Sequence, residues 1–238
     1  MSKIEVFTPT RATSQEDLER IYDILQREPN IMGFVYKATI QESIYGNTNR
    51  LNLVAARLDG EIVGALMVVG RRPYQHLWKS GNVYVLPEAR RQRVGTALYT
   101  AAAIGAIIEG RRLTQDDVIL DYSPWMVRER KPTDVCGGGK GFLITLGYQQ
   151  AGTFPRVTTG FKTIEPWIKE VIPYIEDYII RIPKGTTIQL FHTATAQKVY
   201  EENLKRYQTY DPDLAKTLVF KREGVLQGLW EGVEVIEL

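Results

Sequence analysis

Cysteine is nearly absent from this chain of 238 residues: there is one, Cys136. A single thiol excludes an intrachain disulfide framework and a zinc site built from cysteines, and it makes a reducing compartment the default. Histidine is almost as scarce, and His76 and His192 stand far apart, which argues against a metal centre. No apolar run approaches the ~20 residues needed to span a bilayer, so no membrane partner is expected. An excess of one charge is lacking too. With 30 Lys+Arg against 28 Asp+Glu the formal charge is +2, too little to draw a nucleic acid or a membrane surface by bulk electrostatics. The opening MSKIEVFTPT lacks the basic-then-apolar pattern of a secretory signal, so a cytoplasmic protein is expected. What the chain does have is 44% hydrophobic and 24% charged residues over a length that can bury a proper core, as one large domain or one domain with an appendage.

Apolar spacing alternates between strand and helix periods. KIEVFT reads as a short strand. In TSQEDLERIYDILQRE, Leu18, Ile21, Ile24 and Leu25 recur at helical spacing behind Ser14 as a cap. LNLVAARLDGEIVGALMVVG predicts two strands joined at Asp59-Gly60. GNVYVL predicts another strand, followed by a helix from about Arg93 to Glu109 kept slim by Ala103, Gly105 and Ala106. DVILDY reads as a buried strand, GFLITLGY as a short helix stopped at Gly147, and FPRVTTGFKTI as a last strand. The sum is a mixed α/β layer of about 160 residues.

Within it, VYVLPEARRQRVGTALY (residues 83–99) concentrates cationic and amide side chains, Arg90, Arg91, Gln92 and Arg93, between an apolar strand and a helix start at Val94-Gly95-Thr96. A helix N-terminus offers free N–H groups and partial positive charge. A loop feeding it makes an anion pocket, flanking arginines suit a pyrophosphate, and Gly95 allows close approach to the backbone.

Strand, loop and helix in this order resemble the GNAT superfamily of N-acyltransferases, over roughly Ile4 to Ile164. The family signature joins a strand ending Val-x-Pro to Arg/Gln-x-x-Gly-x-Gly/Ala at a helix start. Here it reads Val85-Leu86-Pro87, then Arg90-Arg91-Gln92-Arg93-Val94-Gly95, with Arg93 at the usual first glycine. The resemblance implies an α/β (α+β) fold with a GNAT-like mixed central sheet flanked by helices. It implies acetyl-CoA held by Arg90, Arg91, Gln92, Arg93, Val94, Gly95 and Thr96, with the backbone at Val83 and Val85 pairing with pantetheine. In GFLITLGY, Leu143 stands where many members place the tyrosine that protonates the departing thiolate. The acyl group is expected where the strand of residues 83–86 parts from that of residues 118–122. Tyr84, Tyr122 and Asp121 are therefore the candidate acids and bases.

The long stretch SPWMVRERKPTDVCGGGKG, carrying Trp125, Arg128, Arg130 and Lys131, reads as a substrate lid, a nucleic-acid-contacting loop or a plain surface excursion. The last quarter suggests a separate small α/β appendage. Residues 165–181 read as a helical connector, and residues 187–238 echo the first strand-helix-hairpin unit, with Gly224 and Gly228 spaced like Gly60 and Gly64. The expected division is 1–164 and 165–238, the second part covering the acceptor cleft or making a homodimer contact. The leading function is CoA-dependent transfer of an acetyl group to a primary amine of a small molecule or protein. The alternative is a GNAT-fold protein without ordinary acetyl transfer, either a binding module or a nucleic-acid base modifier of phage type.

Overall fold

The computed structural model describes residues 2–27, 51–70, 76–119, 140–158 and 161–237. Their centre is a ten-stranded mixed sheet with helices on both faces. Strand β1 (Ile4–Phe7) alternates buried Ile4 and Val6 with half-buried Glu5 and Phe7, as the period-2 pattern requires. Helix α1 (Gln15–Arg27) starts where expected: the Ser14 hydroxyl accepts from Asp17 N–H at 3.1 Å, and Leu18, Ile21, Ile24 and Leu25 are the buried face. Strands β2 (Leu51–Leu58) and β3 (Glu61–Gly70) meet at Asp59-Gly60, both at positive φ (51° and 94°), the twist that suits a two-residue hairpin.

Strand β4 (Leu77–Val85) pairs antiparallel with β3, and between Leu66 and Val68 the register slips: two steps along β3 oppose three along β4, from Val83 to Ser80. The extra residue is a β-bulge that bends β4. A 3-10 turn, Pro87–Ala89, then leads to helix α2 (Val94–Ile108) and strand β5 (Leu113–Ile119). Helix α3 (residues 140–145) ends at Gly147 with φ 80°, the left-handed stop that its glycine predicts. The two-residue strand β6 (Gln149–Gln150) follows.

The remainder departs from expectation in three places. FPRVTTGFKTI is two antiparallel strands, β7 (Phe154–Thr158) and β8 (Phe161–Glu170). Strand β8 runs through Pro166 and past the division expected at residue 164, so the first third of the supposed helical connector is sheet; helix α4 (Ile175–Ile179) is the only helical part of it. Strand β9 (Thr187–His192) and helix α5 (Ala194–Tyr210) follow, but the supposed hairpin is helix α6 (Pro212–Leu226), with a final strand β10 (Val233–Glu237). Glycine spacing misled here. Asp211 caps α6 by accepting from Leu214 N–H at 3.1 Å, Pro212 fills the first turn, and Leu214, Leu218 and Val225 bury one face. The last quarter is accordingly no free-standing unit: β9 adds parallel to β1 and β10 parallel to β9, giving the order β10-β9-β1-β2-β3-β4-β5-β8-β6, with β7 on β8.

Helix α2 is buried nearly all round, because the sheet covers one side and α4, α5 and α6 cover the other. Arg222 of α6 donates to the Ile108 carbonyl at 2.9 Å, and Asn203 of α5 donates to that of Glu109 at 3.0 Å, so the last quarter satisfies the C-terminal carbonyls of α2.

Candidate functional site

The Arg-rich loop sits where β4 stops. Leu86 is buried and its N–H bonds the Val63 carbonyl at 2.8 Å, which fixes the exit of the strand. Arg90 turns back, its Nε donating to the Val85 carbonyl at 3.0 Å and its guanidinium 5.4 Å from the Tyr84 ring centre. Gln92 donates to the Glu88 carbonyl at 3.2 Å. Arg91 and Arg93 stay exposed, and both lie in the left-handed region, at φ 64° and 69°. Arg93 is the N-cap of α2 and offers no side-chain acceptor to the first-turn N–H groups. Left-handed residues in a turn gather successive N–H groups into a concavity that attracts anions. Combined with an uncapped helix start, this gives a concavity whose N–H groups suit an anion. Val94 and Thr96 are buried and anchor the first turn. Gly95 faces helix α3: a Cβ there would lie 3.3 Å from Phe142 Cζ, a tight contact that the Phe142 ring would have to yield to.

Beyond the loop the sheet opens. Strands β4 and β5 pair in parallel over Leu77–Lys79 and Leu113–Gln115, yet β4 continues to Val85 and β5 to Ile119. In the stretch past the pairing, Val83 and Val85 are half-buried. A Cβ on Gly64 would touch both Leu98 of α2 and Val85, which puts Val85 on the α2 side, so the alternation of a strand turns Tyr84 to the opposite face. Tyr122 and Asp121 lie outside the described residues, as do the stretch 123–139 with Trp125, Arg128, Arg130, Lys131 and Cys136.

Leu143 is buried among core residues that include Leu146 and Tyr148, so this position of α3 presents no hydroxyl. A different polar cluster lies beneath the opening. The Tyr99 hydroxyl of α2 donates to Asp116 Oδ2 of β5, and Asp116 Oδ1 accepts from Asp117 N–H at 2.7 Å. The Tyr99 ring stands edge-on to Phe142 and Tyr148, with centres 5.4 and 6.2 Å apart. Thr114, two residues before Asp116, shares its hydroxyl with Tyr148 at 3.0 Å and Tyr178 at 3.4 Å. Burial pushes the Tyr178 phenol up to about 12 and that of Tyr148 well above its ordinary value, so both keep their protons. On the other face of β5, Asp117 pairs with buried Lys79. The sequence reading missed Tyr99 and Asp116. Their signal was there, as one phenol in a helix otherwise of Val, Ala, Ile, Leu, Thr and Gly, and two adjacent acids inside a strand. Among the described residues no cluster of histidine, cysteine and carboxylates could hold a metal ion.

Residues 18–111 match the model of the Acetyltransferase (GNAT) family. The match covers about two fifths of the chain, so this stretch, with the loop and α2 inside it, is similar to a GNAT acetyltransferase domain. Its fold is similar to an aminoglycoside 6'-N-acetyltransferase solved with coenzyme A (17% identity, TM-score 0.54, 71% of this chain and 97% of that one). It is also similar to an aminoglycoside 6'-N-acetyltransferase from Enterococcus faecium (17%, TM-score 0.53, 71% and 97%). A spermidine N-acetyltransferase mutant from Vibrio cholerae aligns at 11% identity and TM-score 0.52 over 72% and 95%. Comparison with curated proteins returns no match. Helix α2 lies inside the matched stretch, and the opening of β4 from β5 lies beside it. Among the described residues, no helix is long and apolar enough to cross a membrane.

Proposed function

We propose that this protein is a CoA-dependent N-acetyltransferase acting on a primary amine. The observation that carries the reading is the turn at Arg91 and Arg93, left-handed at both residues and delivering an uncapped α2 N-terminus to the end of β4, where β4 leaves β5. Such a turn suits a pyrophosphate, with the guanidinium of Arg91 or Arg93 adding charge toward a further phosphate. The backbone of Val83 and Val85 past the end of the β4–β5 pairing suits the amides of a pantetheine arm, with the Val85 carbonyl already accepting from Arg90 Nε. Acetyl-CoA supplies the activated acyl thioester. The chain orients it between the two strands and leaves the Tyr84 face of β4 for the incoming amine. Solved relatives in fold that are described as acting on aminoglycosides and spermidine make amines the first acceptors to try. The alternative, a protein of this fold without ordinary acetyl transfer, rests on Arg93 and Leu143 at two signature positions; its base-modifier form rests also on Trp125 and its neighbouring arginines, which lie outside the described residues.

Calorimetry with coenzyme A tests the first half of the proposal: binding that weakens steeply with salt and is lost in an Arg91→Ala, Arg93→Ala double variant is expected. Release of free thiol from acetyl-CoA in the presence of kanamycin, spermidine or a peptide amine tests the second half. A folded protein that binds no coenzyme A would end this reading.

A further inference from the structure

We propose that the Tyr99–Asp116 pair is the proton donor to the departing thiolate, in place of the tyrosine that Leu143 displaces. The inference rests on the acetyltransferase reading and names the residues that complete it. If the pyrophosphate lies at the α2 N-terminus, the pantetheine arm enters the opening from the α2 side, and its sulfur meets the groups that α2 and β5 present there. Tyr84 lies on the other face. Tyr148 and Tyr178 hold their hydroxyls on Thr114. Tyr99 is different: its hydroxyl is bonded to a carboxylate one residue past the point where β5 stops pairing with β4. Asp116 is half-exposed while Tyr99 is buried, so the carboxylate joins the phenol to solvent.

The step balances as follows. The amine nitrogen attacks the carbonyl carbon, the C–N bond forms, the C–S bond breaks, and its electron pair remains on sulfur. Sulfur takes the Tyr99 proton. The nitrogen releases its surplus proton to water, Asp116 takes a proton from water, and the hydrogen bond already joining the pair returns it to the Tyr99 oxygen. The other charged or titratable groups on this face are Lys169 and Glu165 of β8, the latter paired with Lys140 of α3 at 2.7 Å, and the phenols of Tyr148 and Tyr178. Lys169 donates to the Leu146 carbonyl at 3.0 Å and lies over the Tyr178 ring.

The test reads the thiol rather than turnover. Coenzyme A bound to the protein is titrated by thiolate absorbance, with the desulfo-coenzyme A complex subtracted to remove the protein's own phenols. Tyr99→Phe keeps the ring between Phe142 and Tyr148 but removes the donor, so the bound thiol should titrate about one pKa unit higher than in the wild type. Asp116→Asn removes a negative charge beside the thiolate and frees the Tyr99 hydroxyl, so the thiol should titrate lower. Opposite shifts support the pair. An unmoved thiol in Tyr99→Phe, or the same direction of shift in both variants, overturns it. If Tyr99→Phe fails to fold, the Asp116→Asn direction decides, an unchanged or raised value being fatal. A wild-type protein that binds no coenzyme A overturns this proposal together with the reading beneath it, whereas normal binding with unmoved thiols overturns the pair alone.

Discussion

Arg91 and Arg93 occupy a backbone conformation that costs an L-residue with a side chain about 1–2 kcal/mol, and neither contributes a cap to α2. Glycine at either position trades that strain against about 0.5–1 kcal/mol of chain entropy. Arg93→Gly should therefore raise stability slightly, by up to about 1 kcal/mol in denaturant unfolding, while Arg93→Ala should not. If the guanidinium contacts a phosphate, both variants lose coenzyme A affinity, and calorimetry separates the two effects. Gly95→Leu should behave differently from a simple obstruction of ligand. Because its side chain would meet Phe142 at once, we expect it to lower stability by about 1–3 kcal/mol as well as to weaken coenzyme A binding, read by thermal unfolding and calorimetry. The loop residues were legible in the sequence because Val-x-Pro followed by four cationic or amide residues before a small-residue helix start is a local pattern. Asp116 and Tyr99 were not, since these two residues, 17 apart in sequence, acquire their meaning only once β5 and α2 are stacked.

Helix α2 is the element on which site and stability meet. Its C-terminal carbonyls depend on Arg222 and Asn203, and Arg222 also donates to the Gln197 side chain at 2.6 Å and lies 3.8 Å from the centre of the Tyr200 ring. Arg222→Ala should destabilise the protein by about 2–3 kcal/mol in chemical denaturation. Lysine should rescue little, because one ammonium cannot replace the planar fork. His192 sits against the same guanidinium; burial, then Arg222, lowers its pKa below the ordinary 6.5, and His76 is lowered for similar reasons. A histidine depressed in the folded state costs nothing above its unfolded value. As pH falls below about 6.5 the unfolded chain takes up the proton first, so stability declines until the folded-state value is passed. Denaturant midpoints should thus drop between pH 7.5 and 5.5, values chosen to bracket the ordinary histidine range, and His192→Gln should flatten part of that slope. An unchanged slope in the variant would remove His192 from this account.

At the scale of the whole molecule, the last quarter of the chain completes the sheet. A chain ended after Ile182 would lose β9, β10, α5 and α6, uncovering the β1 edge and the outer side of α2. We expect it to aggregate on gel filtration, and a soluble monomer with unchanged coenzyme A binding would show that the C-terminal elements are dispensable. The first half of this architecture is legible residue by residue: β1, the capped α1, the Asp59-Gly60 hairpin, β4, the loop and α2 each carry their own local signal in period, cap or turn. The family resemblance is legible too, because it rests on the order of these elements and on short motifs. Where the C-terminal segments go depends on contacts across the sheet. A parallel strand added beside β1 has no turn to announce it, a helix such as α6 can share glycine spacing with a hairpin, and Pro166 lies inside β8 with its carbonyl accepting from Ala151 N–H at 2.8 Å although a proline has no N–H to give a ladder. The pairing of Tyr99 with Asp116 was likewise decided by packing, since a hydrogen bond between the side chains of two elements exists only once the sheet has set their separation.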